Sequence, residues 1–148
     1  MARTRNERAP HARGARDRLR PVQPARKGFL TGKIPPTTTF DSSDFRSTIP
    51  RFSRENLQAN QAFVDLLARI AQEKNATVSQ IALAWVLARK PWIVPIPGTT
   101  QPARMLENAG AAAILLSAGD LGVLEDGASR IIPSGDRYPP QHQRLIDR

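Results

Sequence analysis

The sequence predicts an α/β protein that is mostly helical as it stands, and three observations carry that expectation. Residues 55–74 and 77–89 repeat their apolar side chains at the spacing of helix faces. A short β-rich run, Trp92, Ile93, Val94 and Ile96, follows them. That run passes directly into a third helical stretch through Pro97, Gly98, Thr99 and Thr100.

The net charge of +9 is unevenly distributed. Residues 1–27 hold eight Arg and one Lys against Glu7 and Asp17, so +7 of it belongs to this segment. The segment mixes Arg with Ala and Pro, shows no apolar period, and reads as a disordered tail. Such an arm can hold nucleic acid through phosphates, but it lacks aromatic residues to stack bases. Nucleic acid is therefore not the expected partner. A transit peptide would also be basic, but Ser is absent here and Pro is frequent.

Residues 28–52 carry turn formers, hydroxyls and scattered charges without a periodic apolar face, so a long loop is expected. In the helix that follows, Phe63, Leu66, Leu67 and Ile70 share a face. Asn75 can end it in a left-handed conformation, and Thr77 with Gln80 forms a capping-box pattern that starts the next helix. Ile81, Trp85 and Ala88 fall together there, with Trp85 as a core residue. Beyond residue 108 the helix fades through a run of alanines. Ser117 and Asp120 then repeat the capping pattern before Leu121, Leu124, Ala128 and Ile131. Gly122 inside that helix costs about 1 kcal/mol relative to Ala. Residues 132–148, rich in Pro, Arg and Gln, read as a tail.

Composition excludes several classes. There is no cysteine, which removes disulfides, thiolate metal sites and a Cys nucleophile. No apolar run approaches the roughly 20 residues that span a membrane, and the start lacks a secretory apolar core. No membrane partner is expected, and the cytoplasm is the expected compartment. No HExxH, GxSxG or Walker pattern occurs, so neither a metal nor those catalytic devices are expected.

Chemistry concentrates in residues 91–108. Gly98 lets the backbone approach a ligand closely, and Pro102 falls in the first helical turn, where its missing N–H costs nothing. The helix then starts with free donors and its positive pole, a setting that attracts anions. Arg104 can fork onto a phosphate or stack on a flat ring, with Glu107 and Asn108 on the same face at i+3 and i+4. A phosphate, a ring and two polar partners describe an adenine nucleotide. The same residues also suit an ordinary ligand-free helix cap.

Two motifs go further. Ile96-Pro97-Gly98-Thr99-Thr100 with Arg104, Glu107 and Asn108, together with Gly28-Phe29-Leu30-Thr31-Gly32-Lys33, resembles the aldo-keto reductases. The resemblance implies the C-terminal part of a (β/α)8 TIM barrel, covering residues 28–137 between the basic tail 1–27 and a C-terminal tail 138–148. A complete barrel needs about 250 residues, so much of it is not in this chain. In place of the family's usual Ser-Pro-Leu type sequence stands Pro24-Ala25-Arg26-Lys27, so the likeness starts near Gly28, and the tail need not belong to the ancestral protein.

The resemblance further implies NADP(H) as cofactor and a small carbonyl compound as substrate. Its implied cofactor residues are Gly28, Leu30, Lys33, Arg46, Gly98, Thr99, Thr100, Arg104, Glu107 and Asn108. Arg104 would take the 2′-phosphate, Glu107 and Asn108 the adenine, and the 28–33 segment, with Lys33, and Arg46 the diphosphate side. No catalytic residue is assigned. The family's proton-donor Tyr, with its Lys, Asp and His, lies in motifs this sequence lacks. Tyr138, His11 and His142 fall in tails, and Asp41 and Asp44 read as turn residues. The expectation is a cofactor-binding part that is inactive alone. A non-enzymatic, Arg-tailed interaction protein built on a barrel remnant is the alternative.

Overall fold

A computed structural model of the 148-residue chain describes residues 26–143. Nearly all of the basic tail, and residues 144–148, lie outside the described residues. Four helices organise the rest. α1 (Arg54–Glu73) begins at Ser53, whose hydroxyl accepts from the Asn56 N–H at 3.3 Å. It ends in a Schellman motif: Asn75 has φ +50°, Ala76 N–H bonds to the Ala71 carbonyl, and Asn75 N–H to that of Gln72. Leu57, Val64, Leu67 and Ala71, spaced at helical intervals, are buried on one face.

α2 (Val78–Arg89) starts with the complete Thr77/Gln80 capping box. Ile81, Ala82, Leu83 and Ala84 are all buried, because α1, α3 and the turn at residues 26–31 pack around this helix. Trp85 is partly buried against the core, 5.8 Å from the Phe63 ring, whereas Ala88 is exposed rather than sharing its face. α3 (Pro102–Gly110) has no buried residue, and Met105 and Leu106 are exposed. α4 (Ala118–Arg130) carries the second capping box, at Ser117 and Asp120, and sends Leu124 into the core with α1.

Three expectations change. No strand forms among the described residues: Ile93 makes one isolated bridge, and residues 94–99 are irregular. A strand exists only through its neighbours' hydrogen bonds, and Pro95 and Pro97 have no N–H to give. The expected loop 28–52 contributes to the core. It folds into 3-10 turns and buries Phe29, Leu30, Ile49 and Phe52, with Phe52 meeting Phe29 and Phe40 edge-on. These four are spaced to suit turns, so no helix or strand period announced them.

The tail after α4 is docked as far as it is described. Asn60, 4% exposed, donates to the Ser134 carbonyl at 2.9 Å and accepts from its N–H at 2.8 Å. Arg51 Nε donates to the Gly135 carbonyl at 3.0 Å. Pro139 is buried and a short helix, α5 (Pro140–Gln143), follows.

Candidate cofactor site

One cavity of about 680 Å³ collects most of the residues singled out above. Gly28, Lys33 and Arg46 reach it from the loop, Gly98 and Thr99 from the irregular stretch, and Arg104, Glu107 and Asn108 from α3. The first wall is built by the 26–33 turn. Lys27, Gly28 and Gly32 all have positive φ, and the Thr31 hydroxyl closes the turn by donating to the Gly28 carbonyl at 2.6 Å. The Lys27 ammonium lies 4.6 Å above the Phe45 ring and 5.2 Å from that of Tyr138. Burial, then the nearby Arg137, lowers its pKa.

The second wall is the start of α3. No side chain caps Gln101, Pro102 occupies the first turn, and the N–H groups of Ala103 and Arg104 have no acceptor among the described residues. Thr99 is spent locally, its hydroxyl accepting from the Gln101 N–H at 3.1 Å. The Arg104 guanidinium makes no hydrogen bond or ion pair among the described residues. By contrast, Arg46 is fully engaged. It forks onto Asp44, with Nη2–Oδ2 at 2.6 Å, and stacks 4.5 Å over the Phe40 ring. That hydrogen bonding holds the Asp44 carboxyl at about 2.

Glu107 ties the walls together. Its Oε1 accepts from the Thr77 hydroxyl at 2.7 Å, and its Oε2 lies 3.7 Å from the Lys33 ammonium. Its backbone carbonyl accepts from Gln80 at 3.0 Å. The α2 capping box therefore also fastens α3.

Two of the expected residues stand elsewhere. Leu30 is 7% exposed in the apolar core, where its side chain escapes water, and does not line the cavity. Thr100 is exposed on the bend before α3 and does not line it either. Thr31 lines the cavity as part of the 28–33 segment, and Lys27, Ile34 and Ser79 line it without having been singled out. Lys27 was hidden by its place at the edge of an Arg-rich segment, and Ser79 by the contact between α2 and α3. Neither Tyr138 nor His142 lines the cavity, and Asp41 and Asp44 do cap turns, accepting from Ser43 and Arg46 respectively.

The comparisons with known proteins agree with the motifs. The Aldo/keto reductase family model matches residues 18–126, starting ten residues before Gly28. Aldo-keto reductase str7 of Strobilurus tenacellus is 37% identical over 124 residues, which is 84% of this chain and 37% of that protein. Aldo-keto reductase yakc of Schizosaccharomyces pombe (strain 972), whose name specifies NADP(+), is 37% identical over 117 residues, or 79% of this chain and 34% of its own. The structure of a glycerol dehydrogenase from Gluconobacter oxydans superposes with a TM-score of 0.74 at 24% identity, covering 86% of this chain and 38% of that one. This chain thus spans little more than a third of the relatives it matches and has the fold of part of their TIM barrel. With the match running through most of its length and through both cavity walls, the chain belongs to the aldo/keto reductase family.

Proposed function

We propose that the chain is the NADP(H)-holding part of an oxidoreductase acting on carbonyl compounds or alcohols, and that it does not turn over substrate alone. One observation carries the reading: the Arg104 guanidinium and the N–H groups of Ala103 and Arg104, unpaired among the described residues, belong to the start of α3, and Arg104 shares one cavity with Gly98, Glu107 and Asn108. This donor set suits a ligand that is anionic at one end and a flat polar ring at the other. Arg104 and the N–H groups of Ala103 and Arg104 would hold phosphate, and Glu107 and Asn108 the adenine.

A bound nicotinamide would supply the hydride of such a reaction. The chain's own residues bind and orient in this reading: Tyr138, of the residue type that donates the proton in the family, lies against Lys27 and Arg137 and does not line the cavity. Lys33 is fastened to Glu107, so the phosphate end rests on Arg104 first.

The test titrates NADPH and NADH against the wild-type chain and Arg104→Ala. A charge-assisted hydrogen bond contributes about 1.5–3 kcal/mol, so NADPH affinity should fall roughly ten- to a hundredfold and NADH affinity much less. Equal losses for both cofactors would leave Arg104 as a stacking or structural residue and defeat the phosphate role.

A further inference from the structure

Lys27 holds a backbone conformation that a residue of its type disfavours. Its φ of +56° and ψ of 33° are left-handed, and Gly28 follows at φ +95°. A residue with a Cβ is strained there and persists only where its surroundings hold it. Two aromatic rings hold this side chain. The ammonium lies 4.6 Å over Phe45 and 5.2 Å from Tyr138, and no carboxylate pairs with it among the described residues. Burial, and then the Arg137 charge, work against an ammonium at this place, whereas the negative faces of the two rings favour it.

Lys27 and Gly28 both line the cavity, so their turn is part of its wall, while Phe45 and Tyr138 do not line it. The rings therefore touch the wall without meeting a ligand in the cavity. They come from separate parts of the chain. Phe45 begins the 3-10 turn Phe45–Thr48 and keeps half of its surface exposed. Tyr138 is carried by the docked tail, between Ser134 and Gly135, which bond to Asn60 and Arg51, and the buried Pro139. None of these anchors involves Lys27, so a change of the Tyr138 ring leaves the docking in place.

We propose that Tyr138, with Phe45, is a positioning residue for the nucleotide: its ring holds the Lys27 ammonium and thereby fixes the left-handed turn at residues 27–28 that forms the diphosphate side of the cavity. The assignment rests on the nucleotide reading above and gives the tail a part in it.

The experiment titrates NADPH and NADH against the 148-residue chain as wild type, Tyr138→Phe, Tyr138→Leu, Lys27→Met and the double variant carrying both of the last two. Circular dichroism confirms the fold of each. Phe keeps the ring face and should bind as wild type does. Leu fills the space without a π face and should weaken both cofactors alike, by roughly three- to tenfold, because the diphosphate is common to them. Phe45→Leu, at the half-exposed second ring, takes its place if Tyr138→Leu does not fold. Lys27→Met keeps the stem without the charge and should cost as much, and the double variant should lose no more than either single one. Wild-type affinity in Tyr138→Leu, a loss in Tyr138→Phe as large as in Tyr138→Leu, or additive losses in the double variant would overturn the positioning role and leave the nucleotide reading intact. Weakening in Lys27→Met alone would do the same, since the ammonium would then act on the cofactor itself. Failure of wild type to bind either cofactor overturns both.

Discussion

Alanine in place of Gly122 and alanine in place of Gly127 are the same chemical change in the same helix, yet they should move stability in opposite directions. Both glycines lie inside α4, so each substitution removes the cost of an interior helical glycine, about 1 kcal/mol. A Cβ at Gly122 meets nothing within 4 Å, so that gain is kept. At Gly127 the Cβ would fall 2.6 and 3.0 Å from the two methyl carbons of Leu66. Leu66 is itself only 3% exposed, with little room to retreat. Overpacking of this kind costs roughly 1–3 kcal/mol and outweighs the helical gain over most of that range. We expect Gly122→Ala to stabilise by about 1 kcal/mol and Gly127→Ala to destabilise by up to about 2 kcal/mol. Urea unfolding of the chain, read by circular dichroism as a shift of midpoint at constant slope, measures both. If Gly127→Ala stabilised as much as Gly122→Ala, the close approach of α4 to α1 would be wrong, and with it the packing that sets the last helix.

The docked tail gives a second expectation: Asn60→Ala removes two hydrogen bonds to Ser134 and should cost about 1–3 kcal/mol, with faster proteolysis after α4; unchanged cleavage there would show that the tail is held by something else. For Asp44, the folded pKa of about 2 lies below its ordinary 3.8. Its contribution is thus complete above that ordinary value and fades as pH falls through about 2. The melting temperature of wild type should drop more between pH 4 and 2 than that of Asp44→Asn, and parallel curves would contradict the pairing with Arg46. Finally, the purified chain should not reduce aldehydes with NADPH, and steady turnover surviving Tyr138→Phe would refute that.

Local order was decided by short-range chemistry, and the sequence alone determined it. Thr77 with Gln80 and Ser117 with Asp120 form their capping boxes as their spacing requires, and Asn75 takes the left-handed conformation that ends α1. These features need only a few consecutive residues. The grouping of Gly98, Arg104, Glu107 and Asn108 around one cavity was legible for the same reason, since one helix face and one turn fix their relation, and the family was legible because both motifs stand in the sequence. What lay beyond the sequence depends on pairs far apart in it. Leu30 entered the core because the turn at residues 26–31 packs on α1 and α2, and residues 92–97 formed no strand because a ladder is made by neighbours. The hold of Thr77 and Gln80 on Glu107 spans about thirty residues, and it is this contact between α2 and α3 that carries Ser79 to the cavity. No local pattern encodes such a contact, because it arises only when helices formed independently close on one another and bury their apolar faces.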